Sequence, residues 1–164
     1  MKNSLIALAF FCSAAHTADN VSVAEHSAWV RATPPGSSTT AIYLTLSNSG
    51  SADIKLMAAA SDISERIELH THKHVDGLMK MQQVESIVVP PNDKAELAPH
   101  GDHIMVFNLD SALKPGETVE LTLKFDNGSE QVIEVPVRKE GPSDKNMQHT
   151  GTKKTAEDTQ HKNH

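Results

Sequence analysis

The chain is poor in aromatic and basic residues. Of its 164 residues only four are Phe, one is Trp and one is Tyr, and 15 Lys and Arg are outnumbered by 21 Asp and Glu. Nucleic-acid binding needs a surface rich in Lys and Arg, usually interleaved with aromatic side chains. We therefore expect no nucleic-acid partner.

The single cysteine, Cys12, lies in a segment typical of a secretory signal. A positively charged start leads into an apolar run over 5–11, and small residues follow it. These seven apolar residues are too few to cross a bilayer, and the small residues suit a signal peptidase. We predict a signal peptide over 1–18, cleaved after Ala15 or Ala18, a periplasmic location and no membrane-spanning segment.

The predicted mature chain contains no cysteine. This excludes disulfides, thiol catalysis, thiolate zinc sites, iron–sulfur clusters and blue-copper centres, because each of them needs a cysteine sulfur. The sequence also lacks Gly-x-Ser-x-Gly, phosphate-loop and His-Glu-x-x-His motifs. We therefore expect a protein that is not an enzyme.

The composition changes at Gly141. Residues 141–164 include no Val, Ile, Leu, Phe, Trp or Tyr, so they cannot bury enough apolar surface to offset the entropy of ordering them. We predict a disordered tail over 141–164. The remaining residues, 19–140, form one predicted acidic domain with 18 acidic and 10 basic side chains.

This domain has the sequence pattern of an antiparallel β-protein. Predicted strands rich in β-branched or alternating apolar residues cover 41–46, 66–72, 118–125 and 131–137. The turn residues Asp126-Asn127-Gly128 join the last two strands into a predicted hairpin. Several short strands with such punctuation predict an all-β sandwich or Greek-key barrel.

Half of the chain's sixteen His and Met residues fall within 70–105. They are His70, His72, His74, Met79, Met81, His100, His103 and Met105. Strand alternation places His103 and Met105 on one face, and Ile104 with Val106 on the other. An imidazole and a thioether on one face make half of a metal site. A second half from the strands that hold His70 to Met81, brought next to it, would complete a site of two His and two Met.

Soft thioethers and neutral imidazoles favour copper(I) over zinc, calcium or magnesium. Thioethers also suit an oxidising compartment, where paired thiols would form disulfides. The alternative is a metal-free β-sandwich scaffold or adhesion domain with a His-rich edge, because Met in a strand is often a core residue.

The spacing His70-x10-Met81-x21-His103-x-Met105 resembles the signature of the PCuAC family of periplasmic copper(I) chaperones. The likeness extends over roughly 25–138, including a Trp-x-Arg-x-x-Pro opening at 29–34 and the strand at 41–48. It implies a cupredoxin-like Greek-key β-barrel or sandwich. It also implies that copper(I) is the cargo and that the ligands are His70, Met81, His103 and Met105.

The resemblance further implies a function and partners. The chaperone would deliver copper to the dinuclear centre of cytochrome c oxidase, in subunit II, or to another copper chaperone, and would act as a monomer. A second interpretation keeps the same site but uses it for copper sequestration or resistance, without a dedicated acceptor.

The turn before Met81 leaves the choice of its histidine partner open. If Asp76 and Gly77 are the two central turn residues, His72 lies opposite Met81; if the turn is shifted by one residue, His70 does. The family spacing selects His70, and we follow it because a diagonal neighbour roughly 7–8 Å away can still share a metal with a long Met.

His100 and a group of residues in the tail are further candidate copper ligands. His100, in a segment that departs from the family's usual pair of glycines, is interpreted as a loop residue or an accessory ligand. The tail is interpreted either as a solubilising segment or as a weaker copper(II) site, because its imidazoles would suit copper(II). These tail residues are Met147, His149, His161 and His164.

Overall fold

The computed structural model describes residues 20–24, 26–75 and 77–141. The predicted signal peptide and, apart from Gly141, the predicted tail lie outside these residues. All regular structure in the described ranges is β, in eleven strands: β1 Val21–Val23, β2 Trp29–Arg31, β3 Thr40–Asn48, β4 Ile54–Ala60, β5 Arg66–Val75, β6 Leu78–Gln83, β7 Ile87–Val89, β8 Asp93–Leu97, β9 His103–Phe107, β10 Thr118–Phe125 and β11 Glu130–Arg138. Within the same ranges, no helix has the length and apolar character needed to cross a membrane.

The four predicted strands are all present. The strand predicted over 118–125 matches β10, and β3, β5 and β11 extend the other three predictions at one or both ends. The β10–β11 hairpin is also formed. Its loop closes through the Gly128 amide, which donates to the Phe125 carbonyl, and Gly128 adopts a φ of +81° that glycine accepts readily.

The strands form one hydrogen-bonded path in the order β6-β5-β9-β3-β2-β11-β10-β4-β7, with β1 and β8 paired to the second half of β3. The pairing of β2 with β11 is parallel, and the other strand pairs are antiparallel. Strands β3 and β11 each pair with different strands along their length, so each belongs to two parts of the path. The predicted all-β class is therefore confirmed.

Strand β9 separates the core from the candidate site. Ile104 and Val106 are fully buried in the main hydrophobic core, whereas Met105 packs on the opposite face against a small cluster of Trp29, Ala41 and Tyr43. The predicted alternation is thus confirmed. The core anchors one face of β9, so the His103–Met105 face is held in a fixed position.

The β5–β6 hairpin follows the register that its turn residues favour. Val75 pairs with Leu78 around a two-residue loop in which Gly77 has a φ of +77°, while Asp76 is outside the described residues. His72 therefore lies opposite Met81. The alternative register, with His70 opposite Met81, is not formed, and His70 is the diagonal neighbour of Met81.

Candidate metal centre

The candidate site lies where β5, β6 and β9 meet. Strand pairing places His70 opposite His103, and His72 opposite Met81. Beside them is an open depression of about 320 Å³, lined by Arg31, Thr39, Thr40, Ala41, Tyr43, His72, Met81, Pro99, His100, His103 and Met105. Three of the four predicted ligands line this depression, and the fourth, His70, is buried next to it.

His103 and Met81 are already close enough to share one ion. The Nε2 atom of His103 lies 3.3 Å from the Sδ atom of Met81. The other ring nitrogen, Nδ1, donates to the carbonyl of Gly101 at 3.0 Å, which leaves a lone pair on Nε2 in the neutral ring. With bonds of about 2.0 Å to nitrogen and about 2.3 Å to sulfur, as in zinc sites, one metal could contact both atoms.

Burial keeps the His103 ring neutral. His103 is only 3% exposed, and this desolvation is the main reason that its pKa is lowered. The Gly101 carbonyl acts in the opposite direction, and the neighbouring His72 and His70 lower the pKa further. A neutral imidazole is the form that binds a metal.

His72 shares the support of His103. Its Nδ1 also donates to the Gly101 carbonyl, at 3.3 Å, and its ring stacks on that of His103 with centroids 5.1 Å apart. The His100 ring lies 6.1 Å from the His72 ring. A single backbone carbonyl therefore sets the same tautomer in two imidazoles.

His70 occupies a different environment. It is 7% exposed, and its Nε2 contacts the Glu68 carboxylate at 2.8 Å. Its Nδ1 atom is the single buried side-chain polar atom in the described ranges that has no hydrogen-bond partner. Leaving such an atom unpaired costs about 1–3 kcal/mol. The Nδ1 atom is therefore suited to accept a hydrogen bond or to bind a metal ion.

Glu68 is itself held in place. Its second oxygen contacts Arg66 Nε at 2.8 Å, and the Arg66 guanidinium lies 4.5 Å above the centre of the Phe107 ring. The hydrogen bond from His70 is the main reason that the pKa of Glu68 is lowered, and the hydrogen bond from Arg66 lowers it further. The carboxylate therefore stays charged and accepts a hydrogen bond from the N–H of His70 Nε2, which leaves the lone pair on Nδ1.

Aromatic residues form the wall behind Met105. The rings of Trp29 and Tyr43 are tilted by 35° with centroids 4.6 Å apart, and the Tyr43 ring lies 6.3 Å from the His103 ring. Burial raises the pKa of the Tyr43 hydroxyl, so this side chain is neutral. The wall gives Met105 an apolar, polarizable setting.

The structure brings the four predicted ligands into one region and adds residues that sequence reasoning missed. Glu68 lies two residues before His70 on β5 and so on the same face, but nothing in the sequence indicated the contact between them. The roles of Tyr43 and the Gly101 carbonyl had no sequence signal. Among the described residues, no group of three or more His, Cys, Asp or Glu is arranged to hold a metal, so a metal at this site would depend on the thioethers.

Comparison with known proteins identifies the family. Residues 23–137 match the model of a family described as "Putative lipoprotein LpqE-like". The chain belongs to the LpqE-like family. Within the matched range lie all four predicted ligands.

Two relatives have sequence similarity but no assigned activity in their names. One is "Putative lipoprotein Lxx21020" of Leifsonia xyli subsp. xyli, 34% identical over 74% of this chain and 71% of its own length. The other is "Uncharacterized protein RP573" of Rickettsia prowazekii, 28% identical over 66% of this chain and 60% of its own length.

Solved structures place this LpqE-like chain among PCuAC domains. The copper(I) form of DR1885 from Deinococcus radiodurans is 36% identical over 71% of this chain and 78% of its own, with a TM-score of 0.59. The apo PCuAC domain from PmoF1 covers 73% of this chain and 93% of its own at 24% identity, with a TM-score of 0.61, and shares the fold. The predicted PCuAC resemblance and cupredoxin-like β-sandwich are confirmed.

Proposed function

We propose that this protein binds copper(I) outside the cytoplasm and passes it to an acceptor protein. The ligands would be His70, Met81, His103 and Met105, which we name the main site. The observation that carries the proposal is the 3.3 Å approach of His103 Nε2 to Met81 Sδ. The ring of His70, whose Nδ1 has no hydrogen-bond partner, lies 5.9 Å from the ring of His103. Two imidazoles and two thioethers form a soft, neutral ligand set that suits a monovalent copper ion.

The relatives support copper as the cargo. DR1885, at 36% identity, has a solved structure that is named for its copper(I) form. The ligand spacing at 70, 81, 103 and 105 in this chain is the one that resembles the PCuAC signature. A metal-free scaffold role would leave both the buried, unpartnered His70 Nδ1 and the exposed Met81 without a purpose.

The unequal exposure of the ligands suits transfer. His103 is almost fully buried, whereas the Met81 side chain is 46% exposed at the rim. An incoming sulfur ligand of an acceptor can therefore approach the metal on the Met81 side and replace one thioether at a time. We propose that the acceptor is subunit II of cytochrome c oxidase, at its dinuclear copper centre, or another copper chaperone.

The proposed location is the periplasm, reached through the signal peptide. The lipoprotein name of the LpqE-like family and of the Leifsonia relative supports export. We propose a monomeric binding protein and not an enzyme, because the site offers soft metal ligands on a rigid sheet and its His70–Glu68 pair serves to orient a ligand imidazole.

The test is an anaerobic titration of the protein with copper(I), beside copper(II) and zinc, using a competing chelator. We expect one copper(I) ion to bind far more tightly than zinc. Equal binding of copper(I) and zinc would contradict the proposed thioether ligands. Transfer to apo-oxidase subunit II, compared with transfer to a chelator of equal affinity, then separates delivery from storage.

A further inference from the structure

The β5–β6 hairpin carries a second His–Met pair beyond the main site. His72 lies opposite Met81, and two residues farther toward the turn His74 lies opposite Met79. We name these the inner pair and the outer pair. Because side chains alternate along a strand, both pairs lie on one face of the hairpin.

The backbone geometry brings the outer pair close together. In a two-residue hairpin the residues flanking the turn, here Val75 and Leu78, form a hydrogen-bonded pair. Pair types alternate, so His74 and Met79 occupy the closer, non-hydrogen-bonded type, with Cβ atoms about 4.5–5.5 Å apart. A single ion can reach an imidazole and a thioether that start from such positions.

Met79 contributes little to the core. Its side chain is 50% exposed, and every residue of β6 is exposed. Stabilisation by burial scales with the apolar area removed from water, so packing does not explain a methionine there. The exposed thioether faces the same side as the main site, and the opposite face carries the Lys73–Lys80 pair.

We propose that His74 and Met79 form a second, weaker copper(I) site that receives the ion before the main site does. This proposal rests on the proposed function. The outer and inner pairs are about 7 Å apart along the strand, since two residues advance about 6.6–6.8 Å. Copper would move from the outer to the inner pair by forming a new bond before an old one breaks, and it stays monovalent throughout.

Met81 connects the two stages. It belongs to the inner pair through its position opposite His72, and to the main site through the 3.3 Å contact with His103. The ion can therefore keep one bond, to Met81 Sδ, while His72 is exchanged for His103. No oxidant or reductant is needed, because only ligands are exchanged.

The test follows the methionine methyl groups of the full chain by NMR during titration with silver(I), a redox-inert monovalent probe. We expect the first equivalent to shift Met81 and Met105, and the second to shift Met79. Met57 is a built-in control, since it is 44% exposed but lies on β4. A second equivalent that leaves Met79 unshifted, or that shifts Met57 or Met147 in its place, overturns the proposal.

A variant separates this proposal from the proposed function. Met79→Leu keeps side-chain volume, and we expect it to weaken binding of the second equivalent by at least about tenfold, the smallest loss expected even for an outer-shell partner. The first equivalent should be unchanged, and Met57→Leu should change neither. An unchanged second equivalent in Met79→Leu overturns the outer site alone. A first equivalent that leaves Met81 and Met105 unshifted overturns the main site.

Discussion

The two hairpins of the molecule have similar strand patterns and opposite uses. In β10–β11 the inward side chains are buried, with Val119, Leu121 and Leu123 all at most 4% exposed. In β5–β6 the second strand is exposed at every position, although Leu78, Met79 and Met81 are apolar. Similar residue types are therefore core in one hairpin and surface in the other.

Position in the sheet explains the difference. Strand β10 lies between β11 and β4 and has the core beneath it, whereas β6 ends the strand order in the described part of the chain and pairs with β5 alone. An edge hairpin that projects past its neighbours gains little from burial. Its His and Met residues are thus available to bind a ligand.

The largest expected difference between the hairpins is in stability. Leu123→Ala removes a fully buried side chain, and we expect it to lower the free energy of unfolding by about 2–5 kcal/mol. The control Leu78→Ala, at a residue that is 63% exposed, should change it by less than about 0.5 kcal/mol. Urea unfolding followed by circular dichroism measures both, and equal effects would refute the comparison.

The next effect concerns the two thioether ligands. Met81→Leu and Met105→Leu keep volume and apolarity, so each should change stability by less than about 1.5 kcal/mol. Replacing a residue that only supports a metal ligand typically weakens metal binding by about 10–100-fold. Each of these two substitutions removes a ligand itself and should weaken copper(I) binding by more than that. Chelator competition measures the affinity, with Met57→Leu as control. Parent-like affinity in both variants would show that the ligands are assigned wrongly.

A third prediction compares the two histidines of β5. His70→Ala should weaken copper(I) binding more than His72→Ala, because His70 Nδ1 is buried and unpartnered, whereas His72 lies at the rim of the depression. The register, which puts His72 opposite Met81, makes the result informative. A larger loss in His72→Ala would move the ligand assignment to His72.

A fourth prediction tests the support of His70 by Glu68. Glu68→Gln removes the charge that fixes the His70 tautomer, and we expect copper(I) affinity to fall by about 10–100-fold. Nitrogen NMR of the apo protein should show Nε2-protonated His70 in the parent and a mixture of tautomers in the variant. The exposed Glu65→Gln is the matched control. An unchanged tautomer would mean that the carboxylate does not position the ring.

The smallest effect is a pH dependence of copper affinity. Protons compete with copper for imidazole, so affinity should fall as pH drops through roughly 6.5. Burial lowers the pKa of His103. This residue therefore keeps its lone pair, and with it its bond to copper, to a more acidic pH than an ordinary histidine. Affinity measured at about pH 8 and about pH 5 checks this, and a constant value would exclude histidine ligands.

Much of the fold was predictable because local patterns and tertiary structure agree in it. β10 alternates apolar and polar residues along its whole length, and Gly128 supplies the turn conformation of the hairpin. The alternation of Ile104 and Val106 with His103 and Met105 likewise identified the two faces of β9. The order of the strands was not predictable, because pairing between distant segments leaves no local pattern.

The register of β5–β6 shows the two kinds of information in conflict. The spacing from His70 to Met81 pointed to one pairing, and the turn residues pointed to another. The structure follows the turn, because a two-residue loop with glycine at positive φ costs little and fixes every pair after it.

The sequence by itself determined the β class and the concentration of His and Met residues within 70–105, since these depend on composition and short-range periodicity. Only the tertiary structure decided that His70 is buried against Glu68, that Gly101 orients two imidazoles, and that Met81 lies 3.3 Å from His103. Two of these contacts join residues that are far apart in the sequence, so no local sequence pattern predicts them. The contact of His70 with Glu68 depends on the orientation of the His70 ring. Their geometry is therefore set by how the sheet packs and not by any local preference of the chain.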